Sequence, residues 1–426
     1  MIWCVDRLDP WDFPVSGTAT LNPEVVIAGG GMVGLTLGLA LAQTGVDTVV
    51  VDGLDPVTVR DAAFDGRVSS FASTSCRMLQ AMGLWENLAI DAQPVLDIIV
   101  GDGSVLNGAS AALLHFDHRE VGTEPLAHMI ENRHFRRMLD AQAQKCSALR
   151  LIAPGRIAGC TEQNNGVVAT LEDGRSITAK LCVAADGRDS PLRVAAGIKT
   201  QGWSYNQTGV VATVEHERPH NGVAQELFLP SGPFAILPMT GNRSSIVWTE
   251  QSDQVAAYLR LGDDEFAAEV GKRFGDQWGA IKVLGPRWSY PLSMHLAMSY
   301  LAPRLVLAGD AAHGVHPIAG QGLNLGLRDA AALVEVIVEG RRLGLDIGSQ
   351  AVLRRYDRWR RSDNALFAVS MDALNRLFSN DIAPIKFARR AGIDVVDAIT
   401  PLKRFFMRQA AGGSGALPRL LRGEQV

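Results

Sequence analysis

The sequence predicts an α/β protein with two domains, in which a Rossmann-like domain contains a parallel sheet and receives an inserted, mostly antiparallel sheet. Three observations predict this class. The chain of 426 residues is longer than one hydrophobic core usually organises. Three glycine-bearing corners, at residues 29–34, 185–188 and 308–313, each follow a short apolar run typical of a buried strand. Between the second and third corners, the pattern changes to short strands separated by turn residues.

The first corner carries a G-x-G-x-x-G motif between a strand pattern and a helix pattern. Gly29 allows the tight turn, Gly31 lets a pyrophosphate approach the backbone, and Gly34 allows the helix to pack closely on the strand. The amino terminus of this helix faces the negative charge of the phosphates. Asp52 ends the next strand, where an acid accepts hydrogen bonds from adenosine ribose hydroxyls. The corner predicts a dinucleotide site, with a ligand-free glycine turn as the alternative.

The second corner places Asp186 at the end of a strand, before a helix that Ser190 is predicted to cap. We expect its backbone groups to approach the same pyrophosphate from the other side. Arg188 and Arg193 follow directly, and we expect them to meet the phosphates of an incoming nicotinamide dinucleotide. A plain Asp-Gly turn is the alternative. The position after a Rossmann-like unit is what favours a ligand site.

The third corner places Asp310 at a strand end, where its carboxylate suits a ribityl hydroxyl. Gly320 and Gly322 then open another helix, whose amino terminus can stabilise the negative charge of a reduced flavin. His313 and His316 lie three residues apart, but without a third ligand they predict no metal site. We expect them to be loop histidines beside the flavin ring. In this order, the three corners describe one extended FAD rather than NAD.

The electron donor follows from what the sequence lacks. The chain contains one G-x-G-x-x-G motif and no CxxC pair. An enzyme that holds FAD and NAD(P)H in separate Rossmann domains would need a second such motif. We therefore expect NAD(P)H to dock transiently on the FAD-binding domain, with a partner protein as the alternative source of electrons.

Several longer segments resemble the ubiquinone-biosynthesis hydroxylases, a family of single-component FAD-dependent aromatic hydroxylases that share the para-hydroxybenzoate hydroxylase fold. The segments that carry the resemblance are residues 65–70, 83–86, 130–133, 185–187, 309–310 and 316–329. The resemblance implies that Arg67 and Arg133 touch the FAD, although an arginine at either place is a surface charge by default. It also implies cofactor contacts from the start of the late helix, at Gly320, Gly322, Leu323 and Asn324.

The resemblance implies an enzyme, a monooxygenase that uses O₂ and hydroxylates the aromatic ring of a polyprenylated phenol or quinone precursor in ubiquinone biosynthesis. Reduced FAD would form a C4a-hydroperoxide in a site that excludes water. His316 and the Pro317 backbone are the candidates for shaping the oxygen site, whereas no catalytic base can be chosen from the sequence. One departure is Asp52, where many relatives carry glutamate.

Two other functions stay open at this point. The chain could hydroxylate a soluble aromatic or polyketide substrate, or it could be a non-catalytic flavin-binding subunit of a biosynthetic complex. A flavin halogenase would share the FAD corners, but the Trp-x-Trp motif typical of halogenases does not occur in this sequence.

The predicted domain division follows the changes of pattern along the chain. A loosely ordered extension is predicted for residues 1–22, and a helical region for residues 376–426. The FAD-binding domain is predicted to be discontinuous, with residues 23–96, 128–205 and 290–375. The substrate domain is predicted to contain residues 97–127 and 206–289. Its apolar side chains are expected to form a substrate wall, or plain core, at Phe228, Phe234, Leu237, Pro238 and Met239.

Composition and charge restrict the partners. A net charge of −4 gives no general attraction to nucleic acid. Five cysteines without paired spacing predict reduced thiols in a cytoplasmic protein. The basic amphipathic segment 385–422 could lie on anionic lipid at the inner face of a membrane, or dock onto sister proteins of the same biosynthesis. A helix packed on the FAD-binding domain, with a solvated basic face, is the alternative.

Overall fold

The computed structural model describes residues 21–104, 108–378, 399–413 and 415–426. The helices in this part of the chain are α1 (Met32–Gln43), α2 (Pro56–Arg60), α3 (Ser73–Ala81), α4 (Asn132–Ala143), α5 (Pro191–Ala195), α6 (Ser252–Leu259), α7 (Asp263–Phe274), α8 (Gly322–Arg342), α9 (Gln350–Phe378) and α10 (Thr400–Ala410). The first twelve strands are β1 (Val25–Ala28), β2 (Thr48–Val51), β3 (Val68–Ala72), β4 (Gln93–Val95), β5 (Asp97–Ser104), β6 (Gly108–Asp117), β7 (Ala127–Glu131), β8 (Leu149–Ile152), β9 (Ile157–Gln163), β10 (Gly166–Leu171), β11 (Ser176–Ala179) and β12 (Leu181–Ala184). The later strands are β13 (Thr200–His216), β14 (Val223–Leu229), β15 (Gly232–Met239), β16 (Arg243–Gln251), β17 (Ile281–Ala297), β18 (Leu301–Ala302), β19 (Leu305–Leu307) and β20 (His313–Gly314).

A six-stranded sheet forms the centre of the Rossmann-like part. Its order is β18-β19-β12-β1-β2-β8, and all neighbours are parallel except β18 and β19. Every residue of β1, β2 and β12 is buried, as expected for parallel strands covered on both faces. The first corner follows β1, the second follows β12 and the third follows β19. Because these strands are neighbours, the three corners meet at one edge of the sheet, and the predicted parallel sheet is confirmed.

An eight-stranded, mostly antiparallel sheet forms the second part. Its order is β20-β17-β13-β16-β15-β14-β5-β6, and its one parallel pair is β14 with β5. One face carries α6 and α7 over a core that contains Phe234, Trp248 and Phe266. The opposite face turns toward the Rossmann-like part, where the indole nitrogen of Trp288 donates to the carbonyl oxygen of Asp65 at 2.5 Å. The predicted antiparallel sheet is therefore confirmed.

The eight-stranded sheet extends beyond the predicted limits of the substrate domain. Strand β13 begins at Thr200 and β17 ends at Ala297, outside the predicted range 206–289. Strands β5 and β6, from residues 97–127, lie at one edge of this sheet. We propose the same two-domain division, with β13 and β17 assigned entirely to the substrate domain.

The two ends of the chain are described only in part. Residues 1–20 of the predicted extension lie outside the described residues, and Leu21 forms an isolated parallel bridge with Ile177. In the C-terminal region, α10 is described, whereas residues 379–398 lie outside. Among the described residues, no helix combines the length and the apolar character needed to cross a bilayer. The four described cysteines are free thiols.

Helix α8 brings the third corner against the first. A Cβ on Gly326 would lie 2.6 Å from a methyl carbon of Val33 in α1 and 3.5 Å from the Cα of Gly309. The absence of a side chain on Gly326 thus allows α8 to pack directly onto both corners. The start of α8 is thereby held close to the carboxyl edge of the parallel sheet.

Candidate FAD and substrate site

The first corner is a tight strand–turn–helix connection. Gly29 has a φ of +97°, and a Cβ there would lie 2.3 Å from the carbonyl oxygen of Ala185. A Cβ on Gly34 would lie 1.9 Å from the carbonyl oxygen of Gly29. Helix α1 begins at Met32 after Gly31, with neither a side-chain cap nor an acidic residue in its first turn. Its first amides have no intrahelical acceptors, so they can donate to a pyrophosphate.

Gly31 offers a way to separate ligand contact from packing. A Cβ on Gly31 would meet no atom within 4 Å, and its φ of −66° suits alanine. We expect Gly31→Ala to fold with an unchanged unfolding temperature but to bind FAD about tenfold more weakly, a loss of about 1.4 kcal/mol, because the methyl group occupies the path of the phosphates. Thermal unfolding of the apoprotein and titration with FAD measure the two effects. A stable variant with wild-type affinity would contradict the assigned role of Gly31.

Asp52 lies at the end of β2 against the glycine turn. A Cβ on Gly30 would lie 2.7 Å from the Cβ of Asp52, so the middle glycine is what allows the acid to pack here. The guanidinium of Arg136, from α4, lies 3.7 Å from the Asp52 carboxylate. The Nε atom of Arg136 is buried without a hydrogen-bond acceptor among the described residues. Sequence reasoning missed Gly30 and Arg136; the run of three glycines was the available signal for the former.

Asp186 follows β12 at the second corner. One carboxylate oxygen accepts from the amide of Leu192 at 3.3 Å, whereas the other is buried with no partner in the described part of the chain. Burial raises the pKa of Asp186, although hydrogen bonds from Ser190 and Leu192 oppose this effect. Ser190 caps α5 by accepting from the amide of Arg193 at 3.0 Å, as predicted. The unpartnered Asp186 oxygen is a polar atom that a bound ligand can satisfy.

The side chain of Arg193 joins the second corner to the third. This side chain is buried and donates to the carbonyl oxygens of Arg188 at 2.8 Å and Ala311 at 2.9 Å. Both bonds come from its Nη1 atom and join the second corner to the third, whereas its expected contact with the phosphates of a nicotinamide dinucleotide stays a prediction. Arg188 is only partly buried and donates to the hydroxyl of Ser293 at 2.5 Å.

Asp310 lies at the third corner with an exposed side chain. Its carboxylate makes no hydrogen bond or ion pair with the described residues, and its carbonyl oxygen is 2.9 Å from the Nε2 atom of His295. Burial lowers the pKa of His295, so this ring is neutral at neutral pH. The free carboxylate is compatible with the predicted contact to a ribityl hydroxyl.

A buried ionic cluster fixes the third corner, and sequence reasoning missed it. Asp329 of α8 is fully buried and accepts from the amide of Gly309 at 3.0 Å and from Nε2 of His313 at 2.6 Å. Its second oxygen accepts from Nε of Arg360 at 2.8 Å. Burial by itself would raise the pKa of Asp329, but the charges of His313 and Arg360 hold it at about 2. His313 thus supports the corner, and its expected place beside the flavin ring stays a prediction.

The start of α8 presents backbone rather than side chains. Gly320 has a φ of +59°, and a Cβ there would lie 3.3 Å from the Cβ of Ser70. A Cβ on Gly322 would meet no atom within 4 Å, and no side chain caps α8. Leu323 is half-buried and packs against the main core. The free amides of this turn are suited to the negative charge of a reduced flavin.

The side chain of Asn324 ties α8 to β3. Its Oδ1 atom accepts from the amide of Ala72 at 2.9 Å and from the hydroxyl of Ser75 at 2.8 Å. Its Nδ2 atom donates to the carbonyl oxygen of Ser70 at 2.8 Å. Because this side chain is buried and already bonded, any contact with FAD would come from the backbone of Asn324.

Arg67 and Arg133 both flank the loop that precedes β3. Nε of Arg67 donates to Asp65 at 2.6 Å, and its guanidinium lies 5.4 Å from the ring centroid of Trp288. Nε of Arg133 donates to Glu131 at 2.7 Å, and its guanidinium lies 5.4 Å from the ring of Phe64. Both arginines thus lie where the two sheets approach each other, and their contact with FAD stays a prediction.

His316 is buried beside Tyr205, with ring centroids 5.0 Å apart at an angle of 80°. Burial lowers the pKa of His316 to about 4, although Asp372 opposes this shift. Its Nδ1 atom accepts from the amide of Ile318 at 3.4 Å, so the neutral ring carries its proton on Nε2, which has no acceptor among the described residues. Pro317 is exposed next to it. His316 therefore offers a neutral donor at Nε2, whereas the carbonyl oxygen of Pro317 accepts from the amide of Gly320 at 2.9 Å.

The geometry fits an extended dinucleotide cofactor. Two uncapped helix amino termini, the open positions at Gly31 and Gly322, and the unpartnered oxygen of Asp186 all belong to the corners that meet at the carboxyl edge of the parallel sheet. This edge is where open α/β sheets bind their ligands. The fold and site define a flavoprotein that binds FAD.

Comparisons with known proteins agree with this class. The model of a family described as "FAD binding domain" matches residues 22–363. The chain is 49% identical over 413 residues to ubiquinone hydroxylase UbiL of Rhodospirillum rubrum, covering 96% of this chain and 95% of that protein. It is 32% identical over 391 residues to 3-demethoxyubiquinol 3-hydroxylase of Escherichia coli, covering 91% and 98%. Among solved structures, p-nitrophenol 4-monooxygenase PnpA from Pseudomonas putida shares the fold, with a TM-score of 0.76 at 19% identity, over 96% of this chain and 100% of that one.

The chain therefore belongs to the ubiquinone-biosynthesis hydroxylase family of FAD-dependent aromatic-ring monooxygenases. It is an enzyme, and FAD is its cofactor.

Proposed function

We propose that this enzyme hydroxylates the aromatic ring of a polyprenylated phenol or quinol on the route to ubiquinone. The observation that carries the proposal is the apolar surrounding of the α8 start, next to the three FAD corners. Buried side chains from β17, the third-corner loop, α8 and α9 form one cluster there, at Met294, Val315, Ile318, Leu325, Phe367 and Met371. A lipophilic ring with a long apolar tail is the kind of substrate that such surroundings favour.

Each group of residues in the site has a separate proposed role. Bound FAD supplies the activation of O₂. The corners hold the cofactor through backbone amides, with Asp310 on the ribityl chain and Asp52 on the adenosine ribose. Arg67, in the loop before β3, and Arg133, in the first turn of α4, support it from the side of the second sheet. His316 and the carbonyl of Pro317 shape the space above the α8 start, and the buried apolar cluster excludes water from it.

NAD(P)H is the proposed electron donor. The surface between the second and third corners carries Arg188, whose guanidinium is only partly buried, next to the neutral ring of His295. A transient donor can approach the FAD here without a second nucleotide-binding domain. Stopped-flow reduction of the bound flavin by NADH and by NADPH tests this proposal, and a flavin that neither nucleotide reduces would exclude direct donation.

Complementation tests the proposed function as a whole. The gene is expressed in bacterial strains that each lack one ring hydroxylase of ubiquinone biosynthesis, and the quinone intermediates are identified by mass spectrometry. We expect at least one strain to recover ubiquinone, and the intermediate that disappears identifies the ring carbon. If no strain recovers while the purified protein carries FAD and hydroxylates soluble phenols, a soluble aromatic substrate is favoured. FAD without any substrate-stimulated O₂ consumption would favour a non-catalytic subunit.

We further propose that α10 contributes to contact with anionic membranes or with sister proteins. Phe405 and Phe406 are 58% and 37% exposed, and the adjacent Arg404 and Arg408 are exposed as well. Exposed aromatic rings between basic side chains are typical of helices that bind at a lipid surface. The rest of the basic segment, residues 385–398, lies outside the described residues.

The double substitution Phe405→Ser and Phe406→Ser tests the lipid contact. We expect it to lower flotation with vesicles rich in phosphatidylglycerol at least about tenfold, because each buried aromatic ring contributes roughly 1.5–3 kcal/mol. The matched control replaces Leu343 and Leu345, which are 74% and 53% exposed in the loop after α8, with serine. Equal flotation of wild type and both variants would contradict lipid contact through α10.

A further inference from the structure

We propose that Glu226 is the general base of the hydroxylation, whose carboxylate accepts the proton of the substrate's ring hydroxyl. This inference rests on the proposed function, and it assigns the base that could not be chosen from the sequence. Three features of Glu226 support it: its position in the eight-stranded sheet, its apolar surroundings and its lack of partners among the described residues.

Glu226 lies on the sheet face that turns toward the Rossmann-like part. Residues that pair directly across neighbouring strands share one face of a sheet. The row through Glu226 consists of Val100, Glu226, Ala235, Val247, Val211 and Trp288. Trp288, at the end of the row, donates to the Asp65 carbonyl and lies beneath the guanidinium of Arg67. The adjacent row through Leu227 lies on the opposite face, in the core under α6 and α7.

Two apolar clusters flank Glu226 on this face. Its neighbour Ala224 packs with Val95, Ala127 and Met129. The neighbour on the other side, Phe228, stacks on Phe378, with ring centroids 4.1 Å apart.

Both clusters lead to the start of α8. The cluster of Ala224 includes the half-buried Val68 of β3, the strand to which Asn324 is bonded. The cluster of Phe228 shares Leu374 with the cluster that contains Ile318 and Leu325. Glu226 thus lies between two apolar walls that both reach the proposed reaction site.

The carboxylate of Glu226 has no hydrogen-bond or ion-pair partner among the described residues. The side chain of Glu226 is partly exposed, although many protein atoms surround it. Burial raises the pKa of Glu226 to about 8, and no charged group contributes to this shift. An acid with a pKa near the working pH, without a partner and on the sheet face that turns toward the Rossmann-like part, is suited to proton transfer.

Charged groups on the elements packed around Glu226 are paired with one another. Glu131 of β7 lies 3.2 Å from Arg243, four residues along the same face of β16 from Val247. On α9, which contacts β15, Asp372 pairs with Arg376 at 2.9 Å. Glu120, after β6, pairs with Lys403 of α10 at 3.1 Å. Each of these acids has a cationic partner, whereas Glu226 has none among the described residues and can accept from a neutral donor such as a phenol.

The proposed step is a proton transfer alone. The O–H bond of the substrate hydroxyl breaks, its electron pair stays on the oxygen, and the proton goes to a carboxylate oxygen of Glu226. The resulting phenolate is more electron-rich than the phenol, and its ring is therefore more easily attacked by an electrophilic oxygen. The carboxyl group returns the proton to water when the product leaves.

The test compares the FAD-loaded wild type with Glu226→Gln and Glu250→Gln. Glu250 is a matched control because it lies on the helix-covered face of the same sheet and accepts from Nε1 of Trp248 at 3.2 Å, a bond that glutamine can keep. The probes are 2-geranylphenol and its methyl ether, which lacks the hydroxyl proton. Binding is followed by perturbation of the oxidised flavin spectrum, and hydroxylation by product formation with NADH between pH 6 and 10.

For Glu226→Gln, we expect kcat/KM to fall by roughly 10²–10⁴-fold. We also expect loss of the wild-type rise in rate that is centred near pH 8. Wild type should prefer the phenol to the ether in binding, and Glu226→Gln should lose most of that preference. Glu250→Gln should match wild type in all three measurements. A Glu226→Gln variant with the wild-type pH profile and preference would overturn the assignment.

A second measurement does not depend on turnover. Because the folded-state pKa of Glu226 is raised, the unfolded chain releases this proton first, and wild type should lose stability as the pH rises from about 4.5 to about 8. Glu226→Gln should lack this part of the pH dependence, whereas Glu250→Gln should retain it. Identical pH dependence in wild type and Glu226→Gln would place Glu226 in water and overturn the proposal. If wild type neither binds nor hydroxylates 2-geranylphenol while Glu226 shows the stability effect, the proposed function fails instead.

Discussion

Gly34→Ala should give a protein that no longer retains FAD and unfolds at a markedly lower temperature. The added Cβ would lie 1.9 Å from the carbonyl oxygen of Gly29, a separation that requires α1 to move away from β1. Overpacking of this kind costs about 3 kcal/mol where the obstructing atom is backbone and cannot rotate away. We expect colourless protein after purification, and an unfolding temperature that FAD no longer raises.

Gly31→Ala is the matched control for Gly34→Ala. It places the same methyl group three residues earlier, where no atom of the described residues lies within 4 Å. Comparison of the two apoproteins by thermal unfolding separates packing from ligand contact. Equal stability of the two variants would mean that the close approach of α1 to β1 is not required for the fold.

Arg360→Met should destabilise the protein by roughly 3–5 kcal/mol, because it removes the guanidinium that pairs with the buried carboxylate of Asp329. Both side chains are fully buried, so water cannot replace the lost contact. Urea unfolding measures the change. The matched control is Arg341→Met, which removes an exposed guanidinium 3.1 Å from Glu24 and should cost at most about 1 kcal/mol.

The buried cluster of Asp329, His313 and Arg360 predicts that the stability of the protein depends on pH in the acid range. The pKa of Asp329 in the folded state is about 2, below its ordinary value of 3.8. The stability that this carboxylate provides is therefore present above about pH 4 and is lost as the pH falls toward 2. Wild type should lose more stability than Arg360→Met across this range. Parallel acid curves for the two proteins would mean that the cluster contributes little.

The sequence predicted the parts of the fold that repeat known local patterns. Apolar runs before the corners at Gly29, Asp186 and Asp310 correspond to neighbouring parallel strands, because buried strands of this kind carry continuous apolar residues. Strand β17 was not predicted. It contains Pro286 and Pro291, and its pairing with β13 shifts register twice, so its residues do not alternate as a regular strand does.

The partners of individual side chains could not be predicted from the sequence, because they join segments that are far apart along the chain. Nothing in the sequence indicated that Asp329 binds the ring of His313 or that Nη1 of Arg193 donates to two carbonyl groups. No sequence pattern marked Glu226 as a site residue, because a single acid in an apolar strand is usually a surface residue. Only the register across several strands shows which face it occupies.

The parallel pairing of β5 with β14 has a consequence for how the protein is made. The hairpin of β5 and β6 ends at Asp117, but its neighbouring strand begins only at Val223. While the ribosome produces the intervening segment, the backbone groups of β5 that later pair with β14 have no partner, and an unpaired edge invites association between nascent chains. Fast elongation or a chaperone that covers this hairpin should therefore raise the yield of native enzyme.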